Sequence, residues 1–490
     1  MSDHPVETSA YKLDPEGLIR AVEPLFLSLS PLAATHIALG VLTVWAVGER
    51  RLPLGSDSAT AAEWQVPVGG GLDALYGKRR EERLVDDLDA ALTSLATANP
   101  EPLGRYCEAL SVAGCDPEGG SDAGLRSILE HLMPAAMDAK QWTPSARELV
   151  DAVDGLLAYA ARQGSPGDDA FRHVPRWLAD LTMRLLQPRP GDTVYDPACG
   201  TGGFLAATND ALTGKQEGVS LTVCGEERDE DLATVVRLAL LLTGTPLASI
   251  EVANPIEAPS FKDGPDALQA FDVITCLAPT GPVPHGNWTR SVAANDPYKR
   301  FQQGIPSKSY GETAYLAHML ASLRSGSGRM AGVFRNGVLY RSGADAALRR
   351  TLVDANRLDA VIALPPGAVA GSSESFALVV VRENRVSDAV AVIDASQFGV
   401  GQRRQGELSE TEVNRLLGAY EGAEDISGLV RLVPRDEIQS NDYNLHVPRY
   451  ITPGTSTGPS VDELVRERES LDARLAEVGR RIHDLLDDLR

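Results

Sequence analysis

The stretch Asp196-Pro-Ala-Cys-Gly-Thr-Gly-Gly-Phe-Leu205 constrains this chain more than any other. The run Thr193–Asp196 reads as a strand and Phe204–Leu212 as a helix, so the motif is a strand, a tight turn and a helix start. Gly200, Gly202 and Gly203 allow a sharp turn and a close approach of backbone to a ligand, with the helix-start N–H groups facing an anionic group. Asp196 at the strand end is placed to take an ammonium group. The next strand, Leu221–Glu226, runs into Gly225-Glu226-Glu227, and an acidic residue there, Glu226, suits a bidentate bond to ribose hydroxyls. A glycine-rich turn alone is weak evidence, but ten residues in this context are stronger.

Further short β-branched runs follow at Ser249–Ala253, Phe271–Cys276, Arg329–Phe334, Leu358–Leu364, Phe376–Arg382 and Val390–Asp394. Helix patterns at Ala233–Leu242, Tyr315–Leu323 and Ala344–Ala355 lie between them. This alternation predicts an α/β fold with a mostly parallel sheet covered on both faces. Ahead of it, apolar residues recur at three- and four-residue spacing in Leu84–Leu95 and Leu125–Leu132, which predicts helices. The expected division is a helical N-terminal domain over 1–160, a Rossmann-like domain over 165–400, an extension over 401–455 and a terminal helix over 456–490. In that last helix Val461, Leu475, Ile482 and Leu489 share one heptad position, and Leu464, Leu471, Val478 and Leu485 share the other. The pattern predicts a coiled coil with a partner or a second copy, or else an amphipathic helix folded back on its own domain.

The formal net charge of −22 argues against a chain that grips DNA unaided, because such affinity comes from Lys and Arg neutralising phosphates. Either a basic face is hidden in the average or a partner subunit supplies most of the contacts. Pro24 to Gly48 lacks charge, but Ser30-Pro31 reads as an N-cap with proline at the first helical position, which divides the run into two buried helices. The start of the chain has no basic region leading into an apolar run, so the expectation is a cytoplasmic protein with no membrane contact. The five cysteines are scattered, which suits reduced, mostly buried thiols, and no metal site is readable.

On these residues the chain resembles the N6-adenine DNA methylase family, in particular the modification subunits of type I restriction–modification systems. The similar stretches are Leu186–Gly200, Gly225–Gly244, Phe271–Ile274, Asn336–Tyr340, Val361–Gly367 and Asp442–Tyr450. The resemblance implies a class I S-adenosylmethionine-dependent methyltransferase fold. It implies S-adenosylmethionine as cofactor, held by Asp196, Pro197, Ala198, Gly200, Thr201, Gly202, Gly203, Phe204 and Glu226. It adds Asn254, where the family places a residue touching the cofactor's adenine, and Phe171 and Pro175, from a Phe-x-Thr-Pro element that here reads Phe171-Arg-His-Val-Pro175. It implies DNA as partner, reached through a specificity-type subunit.

In that family the target adenine is flipped out of the duplex and stacked on an aromatic ring. An Asn side chain and a prolyl carbonyl then accept the hydrogens of its exocyclic amine. The motif is Asn-Pro-Pro-Phe/Tyr, and here its position reads Leu277-Ala278-Pro279-Thr280. Leucine accepts no hydrogen bond and threonine offers no stacking face. In Arg335-Asn-Gly-Val-Leu-Tyr340 arginine replaces the family's proline. Trp177 and Trp288 are other rings able to stack a base, although packing is the plainer role, and His173 and His285 read as surface or loop histidines. Three readings stay open: an active methyltransferase with a divergent loop, a catalytically inactive pseudo-methyltransferase with a structural or regulatory role, and methylation of a substrate other than DNA.

Overall fold

Strand–helix alternation becomes one nine-stranded sheet in the computed structural model. The structure describes residues 14–48, 65–103, 111–137, 146–164, 171–212, 221–245, 248–281, 293, 295–307, 309–399, 406–422 and 424–451. The strands are β1 Thr193–Asp196, β2 Thr222–Glu227, β3 Ser249–Val252, β4 Val273–Leu277, β5 Arg329–Arg335, β6 Leu358–Ala363, β7 Phe376–Arg382, β8 Ala389–Asp394 and β9 Val430–Pro434. Their spatial order is β3-β2-β1-β4-β5-β7-β6-β8-β9. β7 runs antiparallel between β5 and β6, and β9 runs antiparallel to β8; the other pairings are parallel.

Side chains alternate across these strands, as the pleat requires. Phe376, Leu378 and Val380 of β7 enter one core with the helices Arg176–Leu186 and Gly203–Leu212. Ala377, Val379 and Val381 enter the opposite core with the helices Glu312–Ala321 and Ala344–Asp354. Both faces are therefore covered, and near-continuous apolar runs suit a largely parallel sheet. The expected Phe271–Cys276 strand is shifted: Phe271 forms only an isolated bridge to Leu323, and Leu277 joins β4 opposite Val333. β9 has too short an apolar run to be read from sequence, and pairing with β8 supplies what its own residues do not.

The uncharged run from Pro24 divides as expected into the helices Pro15–Ser28 and Pro31–Gly48, with Ser30 Oγ accepting from Ala33 N at 3.2 Å. No described helix is long and apolar enough to cross a membrane. Pro31–Gly48 instead packs in a core with the helices Leu84–Ala98, Asp122–Met137 and Ala146–Gln163. That core also takes Leu232, Val235, Leu238 and Leu242 of the helix Glu230–Leu242, whose Ala233, Val236 and Leu240 face the sheet. Apolar residues on two faces are what such a position between two cores demands, and Glu230, Asp231, Thr234 and Arg237 keep the remaining strip polar. The heptad segment 461–489, Trp288, His285 and Cys107 lie outside the described residues.

Candidate cofactor cleft and the loop after β4

The first crossovers leave β1 in one direction, toward β2 and β3, while β4 lies on its other side. A sheet that reverses in this way opens a crevice at the carboxyl ends of its central strands. Here that crevice is a cleft of about 790 Å³. Asp196, Pro197, Ala198, Gly200, Thr201 and Phe204 line one wall, Glu226 and Glu227 a second, and Leu277, Ala278 and Pro279 the third.

The glycine loop is shaped as its sequence requires. Gly202 adopts φ +82°, and a Cβ there would lie 2.4 Å from Val236 Cγ2. Gly203 is pressed on the chain before it, with a Cβ position 2.4 Å from the carbonyl oxygen of Val174. These two glycines seat the helix start against its neighbours, whereas Gly200 faces the cleft. Asp196 is 2% exposed and accepts from Ala198 N at 3.0 Å. Burial pushes its carboxyl up to about 8, and the nearby Glu227 carboxylate adds to the effect.

The two glutamates at the end of β2 face opposite ways. Glu226 is fully buried, bonded to the Tyr195 hydroxyl and to Ser260 N at 2.5 Å. Through Tyr195 it joins a buried chain in which His318 lies 3.0 Å from the phenol and 3.1 Å from Arg300, which pairs with Asp296 at 2.6 Å. Glu227 turns to the glycine loop and accepts from Gly200 N at 3.2 Å and Asp229 N at 3.0 Å. Period-two alternation decides this, and the adjacent acids could not be told apart without knowing which side the loop occupies.

Several anticipated residues stand back from the cleft. Phe171 is buried in the N-terminal helical core, and Pro175 starts the helix Arg176–Leu186; between them Arg172 and Val174 reach the cleft, which the sequence reading missed. Asn254 folds back to accept from Ile256 N at 3.1 Å, leaving Pro255 on the wall. Trp177 is a core residue. His173 requires a correction: it is 1% exposed rather than on the surface, with Asp154 2.8 Å from its Nε2. The acid comes from a helix 19 residues earlier, a spacing no local motif displays.

The loop after β4 is held by ionic contacts. Leu277 is half-buried on the wall, and Thr280 is 4% exposed. Arg172 donates to the Thr280 hydroxyl at 2.6 Å, and Arg335 donates to its carbonyl at 2.5 Å. Arg335 also pairs with the fully buried Glu312 at 2.7 Å and with Glu374 at 3.0 Å, and Arg341 reaches Glu312 at 3.3 Å. The hydrogen bond to Glu312 raises the Arg335 guanidinium further above its ordinary range, so its charge is permanent.

The model of the family described as N-6 DNA Methylase matches residues 148–457. The chain is similar to the type I restriction enzyme MjaVIII methylase subunit of Methanocaldococcus jannaschii, 23% identical over 380 residues, covering 75% of this chain and 64% of that protein. It is 24% identical over 346 residues to the type I restriction enzyme MpnII methylase subunit of Mycoplasma pneumoniae, covering 67% of this chain and 63% of the relative. The chain thus spans just under two thirds of the length of either relative. The type I restriction–modification system methyltransferase subunit from Streptococcus thermophilus superposes with a TM-score of 0.71 at 20% identity, over 90% of this chain and 100% of the other. With a class I methyltransferase sheet and a family match over more than half its length, the chain belongs to the N-6 DNA methylase family.

Proposed function

We propose that this chain is the S-adenosylmethionine-binding modification subunit of a type I restriction–modification complex, of the adenine-N6 DNA methyltransferase class. The observation that carries the reading is the cleft at the ends of β1, β2 and β4, whose donor set suits that cofactor. Asp196, neutralised by burial in the protein alone, would take the ammonium group; the helix start at Gly203 would take the carboxylate. Glu227, on the glycine-loop side of β2, suits the ribose hydroxyls better than Glu226, which is bonded into the buried Tyr195 chain. Bound there, the cofactor supplies an electrophilic methyl group. The DNA contact is assigned to a specificity-type subunit because of the −22 charge, and the 461–489 heptads to a coiled-coil partner or a second copy.

A second reading, a subunit that binds the cofactor but transfers no methyl group, is favoured by the loop after β4. Leu277 accepts no amine hydrogen, and the hydroxyl and carbonyl of Thr280 already serve Arg172 and Arg335. Methyl transfer from labelled S-adenosylmethionine to DNA, by the chain alone and with a specificity-type subunit, separates the two. N6-methyladenine that disappears in Asp196→Ala supports catalysis; cofactor binding without transfer supports the second reading. Absence of cofactor binding would overturn both.

A further inference from the structure

We propose that His173 and Asp154 form a positioning pair that fixes the Thr201 hydroxyl, and with it the cofactor loop, from the side of the N-terminal helices. The proposal rests on the reading of the cleft as an S-adenosylmethionine site. His173 Nδ1 lies 2.8 Å from Thr201 Oγ1, and its Nε2 lies 2.8 Å from Asp154 Oδ1. A carboxylate only accepts, so Nε2 carries a proton; in the neutral ring Nδ1 is then the acceptor, and the one Thr201 hydroxyl hydrogen goes to it at 2.8 Å rather than to the Arg172 carbonyl at 3.5 Å. The main chain on which the ring stands is itself held, with His173 N donating to Ala370 O at 3.3 Å and Ala370 N donating to His173 O at 3.1 Å. The ring therefore reaches Thr201 from a fixed base.

Thr201 occupies the one position in the turn where this matters. It lies between Gly200 at φ +53° and Gly202 at φ +82°, the most pliable part of the loop. It also forms the partition between the cofactor cleft and a second cavity of about 400 Å³ behind it, which Asp154 and His173 line. His173 does not line the cofactor cleft, so it acts through Thr201. Asp154 belongs to the helix Ala146–Gln163, so this hydrogen-bonded chain links the N-terminal helices to the glycine turn.

Two measurements on the full chain test this. Calorimetry with S-adenosylmethionine should show roughly tenfold weaker binding for His173→Ala, through loss of the hydrogen bond that reaches Thr201. His173→Asn, whose amide overlays Nδ1, should recover most of it, and Thr201→Val should add little to His173→Ala. Hydrogen exchange without cofactor should show faster amides at 200–204 in His173→Ala, while those of β5 and β7 keep wild-type rates. Wild-type affinity and wild-type exchange in His173→Ala would overturn the proposal, as would additive losses in the double variant. If the wild-type chain binds no S-adenosylmethionine, the cofactor reading falls, while the exchange result still decides the positioning role.

Discussion

If Asp196 holds the cofactor as proposed, one carboxylate serves a ligand at the expense of the fold. Its carboxyl is pushed up to about 8 by burial, so the folded protein disfavours the charged form. Below about pH 4 the group is neutral in folded and unfolded chain alike and carries no penalty; the penalty grows as pH rises and is complete above about 8. Asp196→Asn should therefore raise stability at pH 8–9 by on the order of 1–3 kcal/mol and leave it unchanged near pH 4, as read by denaturant melts at both. The same substitution should weaken cofactor binding at least tenfold by calorimetry. Stabilisation with binding intact would remove Asp196 from the ligand site. For the neighbouring acids, Glu227→Gln should weaken binding while Glu226→Gln should chiefly lower stability, because Glu226 anchors the buried Tyr195–His318–Arg300 chain.

At the scale of elements, the glycine turn and the loop after β4 respond to substitution for different reasons. Gly202→Ala must adopt left-handed backbone and displace Val236, costing at least ~2 kcal/mol; a loss of secondary structure or a lowered melting midpoint would show it. Thr280 sits in a tight enclosure of charged side chains, so Thr280→Phe should destabilise by about 1–3 kcal/mol through overpacking and the loss of one of Arg172's hydrogen bonds. If the wild-type chain transfers no methyl group, Leu277→Asn and Thr280→Phe together should not restore transfer while Arg335 stays in place. Transfer by that double variant, measured with labelled cofactor, would show that the loop residues alone were the defect.

For the whole molecule, the net charge of −22 makes a prediction about DNA. At −22 the isolated chain should bind duplex DNA weakly in fluorescence anisotropy titrations. A tight, salt-insensitive complex would contradict the assignment of DNA contacts to another subunit. Cofactor at a hundredfold over its dissociation constant should stabilise the folded chain by ~2.7 kcal/mol, visible as a raised thermal midpoint.

The sequence by itself determined the alternation of strands and helices, because a strand ending in Asp196, three loop glycines and a following helix admit few arrangements, and apolar runs marked eight of the nine strands. It also exposed the altered loop, since Leu277 and Thr280 lack the required groups whatever surrounds them. Tertiary structure alone decided which glutamate turns to the glycine loop, because that depends on the side of the sheet the loop covers. It alone paired His173 with Asp154 and Thr201, and gathered Arg172, Arg335, Glu312 and Glu374 around Thr280. These contacts join residues brought together only by the crossovers of the chain, and no local spacing encodes them.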